Sequence, residues 1–172
     1  MRRNRGYPAL PSFSVTALED DSSAHGDRVR VLFELDAQSG GDCESLWGEQ
    51  VSADIVRLDN IPLLVFGVSL GDSVRVVRDS EALRFAEVVR RGGHSTYRVM
   101  LEADDTGALG ERWLRDLVVL GCGHEGLTPR YFAVDVPADV DIFLVYRLLE
   151  SGMAAGAWTF EEGHCGHLLP GG

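Results

Sequence analysis

The sequence predicts an α+β fold: a small antiparallel β-barrel-like unit over residues 28–92, followed by a ferredoxin-like split βαβ unit over residues 93–163. Three observations predict it. Apolar and polar residues alternate with period two from Arg28 onward, in short segments broken by turns. Helical periodicity appears only after Gly93, in two stretches. Strand-like segments flank those stretches in the order β-α-β-β-α-β, the split βαβ order, which lays two helices on one face of an antiparallel sheet.

Residues 1–27 hold Pro8, Pro11 and the acidic-serine run "EDDSSAHGD" without any period, and read as a flexible arm. "RVRVLFELD" then sets Val29, Val31, Phe33 and Leu35 on one face of a half-buried strand. "CESLWGEQV", "DIVRLDNI" and "PLLVFGVS" follow as shorter strands, with breaks at Ser52-Ala53 and at Pro62. "LGDSVRVVRD" and "LRFAEVVRR" complete a set of five or six strands, the pattern of a small barrel or strongly bent sheet.

In the second unit, "TGALGERWLRDLVVLG" lines up Leu109, Trp113, Leu117 and Leu120, with Thr106 as N-cap and Gly121 as stop. "DVDIFLVYRLLESG" lines up Ile142, Val145, Tyr146 and Leu149, with Asp139 or Asp141 as cap and Gly152 as stop. The strands are "STYRVMLE", a short "GHEGL", "RYFAVDV" and "AWTFEE". Residues 164–172 read as a Gly-rich tail.

Composition bounds the function. The chain has 172 residues, of which 45% are hydrophobic, and none of its apolar runs approaches the ~18 residues of a membrane helix. Its first residues carry positive charge with no apolar core behind them, so they do not read as a secretory signal, and a cytoplasmic location is expected. All 16 basic residues are arginine; a lysine Schiff base and a Walker-type lysine are excluded, and the bias suits a GC-rich bacterial genome. A net charge of −11 repels phosphate backbones and argues against nucleic acid as partner. The partners expected are a small anionic ligand or a basic protein that meets the acidic surface. Three cysteines at 43, 122 and 165 argue against a disulfide framework.

The segment "GGHSTYRV" carries the candidate site. Alternation sends Tyr97, Val99 and Leu101 under the helices and His94, Thr96, Arg98 and Met100 to the opposite face. The same parity brings Asp135 and Glu161 to that face, and the split βαβ order would set Arg98 beside one of them. The barrel-like unit has to dock somewhere, and the helix-free face is the natural place. A cleft between the units would then gather Asp59, Asn60, His94, Thr96, Arg98 and Asp135 around a ligand, with Arg98 as a bidentate fork and His94 as the titrating group and best catalytic candidate. The competing account is structural: Arg98 pairs with a carboxylate and His94 satisfies the start of its strand.

Other groups point to weaker chemistry. Cys122, His124 and Glu125, with His164, Cys165 and His167, are zinc-ligand types without the C-x2-C or H-x3-H spacing of a zinc site, and neither a metal nor a cofactor is expected. No helix start follows Cys43, Cys122 or Cys165 to make a nucleophile, and Ser95 lies outside a G-x-S-x-G elbow. Trp47, Trp113 and Trp158 read as core.

Taken together, "SLWGEQV", "RLDNIPLLVFGVSLGDSV", "GGHSTYRV", "AVDVP" and "AWTFEEG" resemble the bacterial family domain of unknown function 4265 over residues 28–163. That resemblance implies a small soluble protein of the kind frequent in actinobacteria, with no catalytic residue to carry over. Three functions stay open: a binding or accessory protein with a polar cleft, an immunity- or antitoxin-like protein covering a basic partner, and an enzyme using His94 as acid or base.

Overall fold

In the computed structural model, which describes residues 27–35, 43–79, 82–102 and 108–168 (the side chains of 108–111 excepted), the first alternating segments form five strands. These are β1 (Arg28–Glu34), β2 (Cys43–Gln50), β3 (Ile55–Leu58), β4 (Ser73–Asp79) and β5 (Ala82–Arg90). They close into a barrel in chain order. Neighbours run antiparallel, but β1 and β5 close the barrel as a parallel pair. The expected small antiparallel barrel is thus present, with one parallel pair at its closure for a geometric reason: alternating directions over an odd number of strands leave the first and last pointing the same way. Val31, Phe33, Leu46, Val56, Leu58, Val74, Val76 and Leu83 fill the interior, and Phe85 stacks on Phe33 at 4.7 Å.

"PLLVFGVS" is not a strand. Residues 59–72 form an irregular strap from β3 to β4, whose backbone is bonded largely by side chains rather than by a neighbouring strand. Backbone donors need a partner, not a particular one.

The second half forms β6 (Ser95–Leu101), α1 (Ala108–Val119), β7 (Gly123–Thr128), β8 (Tyr131–Val136), α2 (Ile142–Ala154) and β9 (Trp158–His164). The sheet order is β7-β8-β6-β9, antiparallel throughout. Asp141 caps α2, accepting from the Phe143 N–H at 2.9 Å. Thr106 lies outside the described residues, as does the Leu109 side chain. Gly121, at φ +98°, ends α1 as expected. Gly152 does not end α2: the helix runs on to Ala154, and Gly156, at φ +74°, takes the left-handed position beyond it. Gly152 instead admits the Trp158 indole, whose N–H donates to the Leu149 carbonyl at 2.9 Å.

Parity in β6 is as the alternation predicts. Tyr97, Val99 and Leu101 join Phe132, Val134, Val136, Val145, Leu149 and Trp158 in the core beneath the helices. Trp113 meets Trp158 edge-on at 5.5 Å. Trp47 departs from expectation. It is half-buried outside the barrel, with the Arg30 guanidinium 4.4 Å and that of Arg28 5.3 Å from its ring centre.

Candidate functional site

The helix-free face of the sheet is covered by the strap, and Arg98, Thr96 and Asn60 among the predicted site residues fasten it. Arg98 is 3% exposed. Its guanidinium donates to the Val65 carbonyl, reaches Glu161 at 3.4 Å and lies 3.8 Å from the Phe66 ring centre. Thr96 is fully buried and shares a 2.9 Å hydrogen bond with Ser69 of the strap. Asn60 accepts the Trp47 N–H at 2.7 Å and turns its amide toward Glu125. Asp59 stays at the surface, paired with Arg28 at 3.0 Å. Asp59, Asn60 and Arg98 are thus held by separate partners and do not gather at one point. The strap that carries Asp59 and Asn60 occupies the face where a ligand was expected, because its peptide groups satisfy the same polar side chains a ligand would have met.

His94 and Asp135 do come together. The His94 Nδ1 lies 2.9 and 3.0 Å from the two carboxylate oxygens. Asp135 projects from β8 opposite Thr96, and His94 precedes β6, so sheet register alone brings them side by side. The Asp135 side chain is 4% exposed and that of His94 24%. Burial pushes the Asp135 carboxyl above its usual range, and the His94 hydrogen bond opposes that shift. The two carboxylate oxygens face Nδ1, so Nε2 is the ring nitrogen turned away from Asp135. Among the described residues Nε2 has no hydrogen-bond partner; a Cβ built on Gly71 would sit 3.9 Å from it.

Several contributors escape a reading of the motifs. Glu44, 9% exposed, accepts the N–H groups of Leu63, Leu64 and Val65 at 2.7, 3.0 and 2.7 Å. Its signal lay in parity: Glu44, Leu46 and Gly48 share the inward face of β2, and an acid there needs donors. Burial raises its pKa; the three N–H groups and Arg98 pull it back. The Tyr131 hydroxyl donates to the Leu63 carbonyl at 2.8 Å. Asp72, 1% exposed, accepts from Ser69, from Gly92 and from Arg91 at 2.9 Å.

Beyond residue 163, His164 completes β9 and His167 is anchored. The buried Ser95 hydroxyl donates to the His167 Nδ1 at 2.7 Å and accepts the Gly166 N–H at 2.9 Å. The His167 Nε2–H faces the Pro137 and Val140 carbonyls at 3.1 and 3.2 Å. This serine–histidine contact is a latch rather than a nucleophile, since Ser95 has no exposed surface. Burial pushes the Cys122 thiol up to about 11, so it stays protonated and unreactive. Among the described residues no three His, Cys, Asp or Glu side chains gather as metal ligands.

Beside Gly71 an open cleft of about 420 Å³ lies against the barrel rim, walled by Arg57, Asp59, Gly71, Arg90, Arg91 and Gly92 among others. Gly92 packs so closely on Gly71 that a Cβ on it would collide with the Gly71 backbone.

Residues 44–160 match the model of a family described as Domain of unknown function (DUF4265). Among solved structures, the chain is similar to one titled "Novel crystal structure of a hypothetical protein from Neisseria gonorrhoeae". The TM-score is 0.69 at 17% identity, covering 84% of this chain and 98% of that one. At that identity the likeness carries the fold alone. No curated protein matches the chain.

Proposed function

The chain belongs to the DUF4265 family, and from that premise we propose that it is a binding or accessory protein whose site lies at the seam between barrel and sheet, around His94. One observation carries this reading: His94 is held by a buried carboxylate through Nδ1 while Nε2 faces the glycine-walled rim without a partner among the described residues. A buried acid that orients a partly exposed imidazole is a placement that serves recognition or proton transfer. The four-stranded order supports naming the second unit a ferredoxin-like split βαβ unit. A bacterial origin is part of the same proposal, suggested by the arginine-only basic composition.

The test is a thermal-shift screen of small carboxylic acids, phosphate esters and amines on the native protein and on His94→Asn. At least one compound should raise the melting temperature of the native protein and leave the variant unmoved. A screen with no such compound, or with equal shifts in both, would remove the reading. The same dyad favours a second function, an enzyme in which His94 moves a proton, because a carboxylate-held imidazole is how such histidines are oriented. Turnover of a compound from the screen, abolished in His94→Asn, would shift the assignment from binder to enzyme.

A further inference from the structure

We propose that the cleft at the barrel rim is an oxyanion subsite, taking the phosphate or carboxylate group of a small ligand through Arg90, with Arg57 and Arg91 beside it. The inference rests on the reading above in placing the ligand at this seam, and adds its chemical class.

The arginines come from two strands that flank β4, where Arg57 and Arg90 both lie level with Ser73. Arg57 lies in β3, and Arg90 and Arg91 lie at the end of β5 and just beyond it. Three arginines lining one cleft are unexpected in a chain of net charge −11, where several barrel arginines are paired at the surface: Arg75 pairs with Asp54 and Glu87, and Arg84 with Glu34 and Asp79. At the cleft the balance differs. Arg57 pairs with Glu49, and Arg91 spends one nitrogen on Asp72 and the Gly67 carbonyl. Arg90 is exposed and has no carboxylate partner among the described residues. A guanidinium carries five N–H donors, so Arg57 and Arg91 keep donors in hand after these bonds.

Gly71 and Gly92 also line the cleft and pack closely on each other. Their N–H groups are already bonded, Gly71 to Leu58 and Gly92 to Asp72. The anion would therefore be held by guanidinium forks and not by a backbone cradle, the mode suited to planar or tetrahedral oxyanions. Asp59 on the rim is matched by Arg28 and does not cancel the local charge.

The experiment is a titration of the uniformly ¹⁵N-labelled protein at low ionic strength with inorganic phosphate, with malonate, and with sodium chloride as ionic-strength control. Saturable shifts are expected at the Gly71 and Gly92 amides with phosphate or malonate but not with chloride, and the tighter of the two names the oxyanion. Arg90→Gln should weaken binding about tenfold, the size of one charge-assisted hydrogen bond. Arg57→Gln should weaken it too, whereas Arg115→Gln, an exposed arginine of α1, should leave it unchanged. Shifts that match the chloride control, or equal affinity in Arg90→Gln and the native protein, would overturn the subsite. His94→Asn separates the two proposals. If it leaves phosphate binding intact while the earlier screen finds no His94-dependent compound, the subsite stands without the histidine.

Discussion

Glu44 and Arg98 grip the same residue by its two backbone groups: the Val65 N–H donates to the Glu44 carboxylate at 2.7 Å, and the Val65 carbonyl accepts from the Arg98 guanidinium. One side chain comes from the barrel and the other from the sheet, so the strap between them is also the seam that joins the two halves. Each charge is buried and each lowers the cost of burying the other.

Removing one member of that arrangement strands the other. Arg98→Ala leaves Glu44 without its buried counter-charge and the Val65 carbonyl without its donor. A loss of about 3–5 kcal/mol is expected. Arg78→Ala, on an exposed strand position, should change stability by about 0.5 kcal/mol or less. Urea unfolding midpoints compare the two directly, and equal losses would show that Arg98 has no special role.

Glu44→Gln tests the other end. A single amide oxygen cannot serve three backbone donors, and its own NH₂ group would face them. The expected loss is about 1–3 kcal/mol. Hydrogen exchange should quicken at Leu63, Leu64 and Val65 and stay unchanged in β1. Uniform acceleration along the chain would mean that Glu44 supports the whole barrel and not the strap.

Gly152→Ala sets propensity against packing. Alanine is the better helix former by about 1 kcal/mol. Its methyl would overlap the Trp158 indole, which is buried and bonded to Leu149 and has nowhere to retreat. Overpacking of this kind costs about 1–3 kcal/mol or more, so the variant should melt lower, with an altered Trp158 fluorescence signal. A higher melting temperature would show that the indole can move.

Acidification should destabilise the protein through His164. Burial, aided by Arg91, holds this imidazole below its usual 6.5. Its Nε2 is buried without a partner, so a proton there would point at nothing. The folded state thus binds that proton less readily than the unfolded chain. The stability contribution of His164 is present above pH 6.5 and is lost as pH falls from there toward the folded value. Asp135 and Glu44, whose carboxyls are raised, act in the opposite direction. The difference between native protein and His164→Gln therefore isolates the histidine. That difference in melting temperature should favour the native protein more at pH 7.5 than at pH 5.5, and a constant difference would refute the assignment.

Local pattern was enough for the regular elements, though not for the strap that "PLLVFGVS" forms. Period-two alternation located the barrel strands, and parity within "STYRVML" sorted Tyr97, Val99 and Leu101 from Thr96, Arg98 and Met100. Such features are set by neighbours along the chain, because a strand's faces follow from its backbone alone. The pairing of His94 with Asp135 was within reach too, since it follows from antiparallel register.

What covers that polar face was decided only in three dimensions. "PLLVFGVS" is as apolar and β-branched as a strand, and nothing local says that Glu44, Arg98, Thr96 and Tyr131 will bond it instead. Those partners lie roughly 20 to 70 residues away along the chain. The cleft between Arg57, Arg90 and Arg91 exists for the same reason: pairing on either side of β4 brings β3 and the end of β5 to one rim. Sequence determined which side chains are polar and which way each strand turns them. Tertiary closure chose their partners, because a hydrogen bond depends on distance in space and is indifferent to separation along the chain.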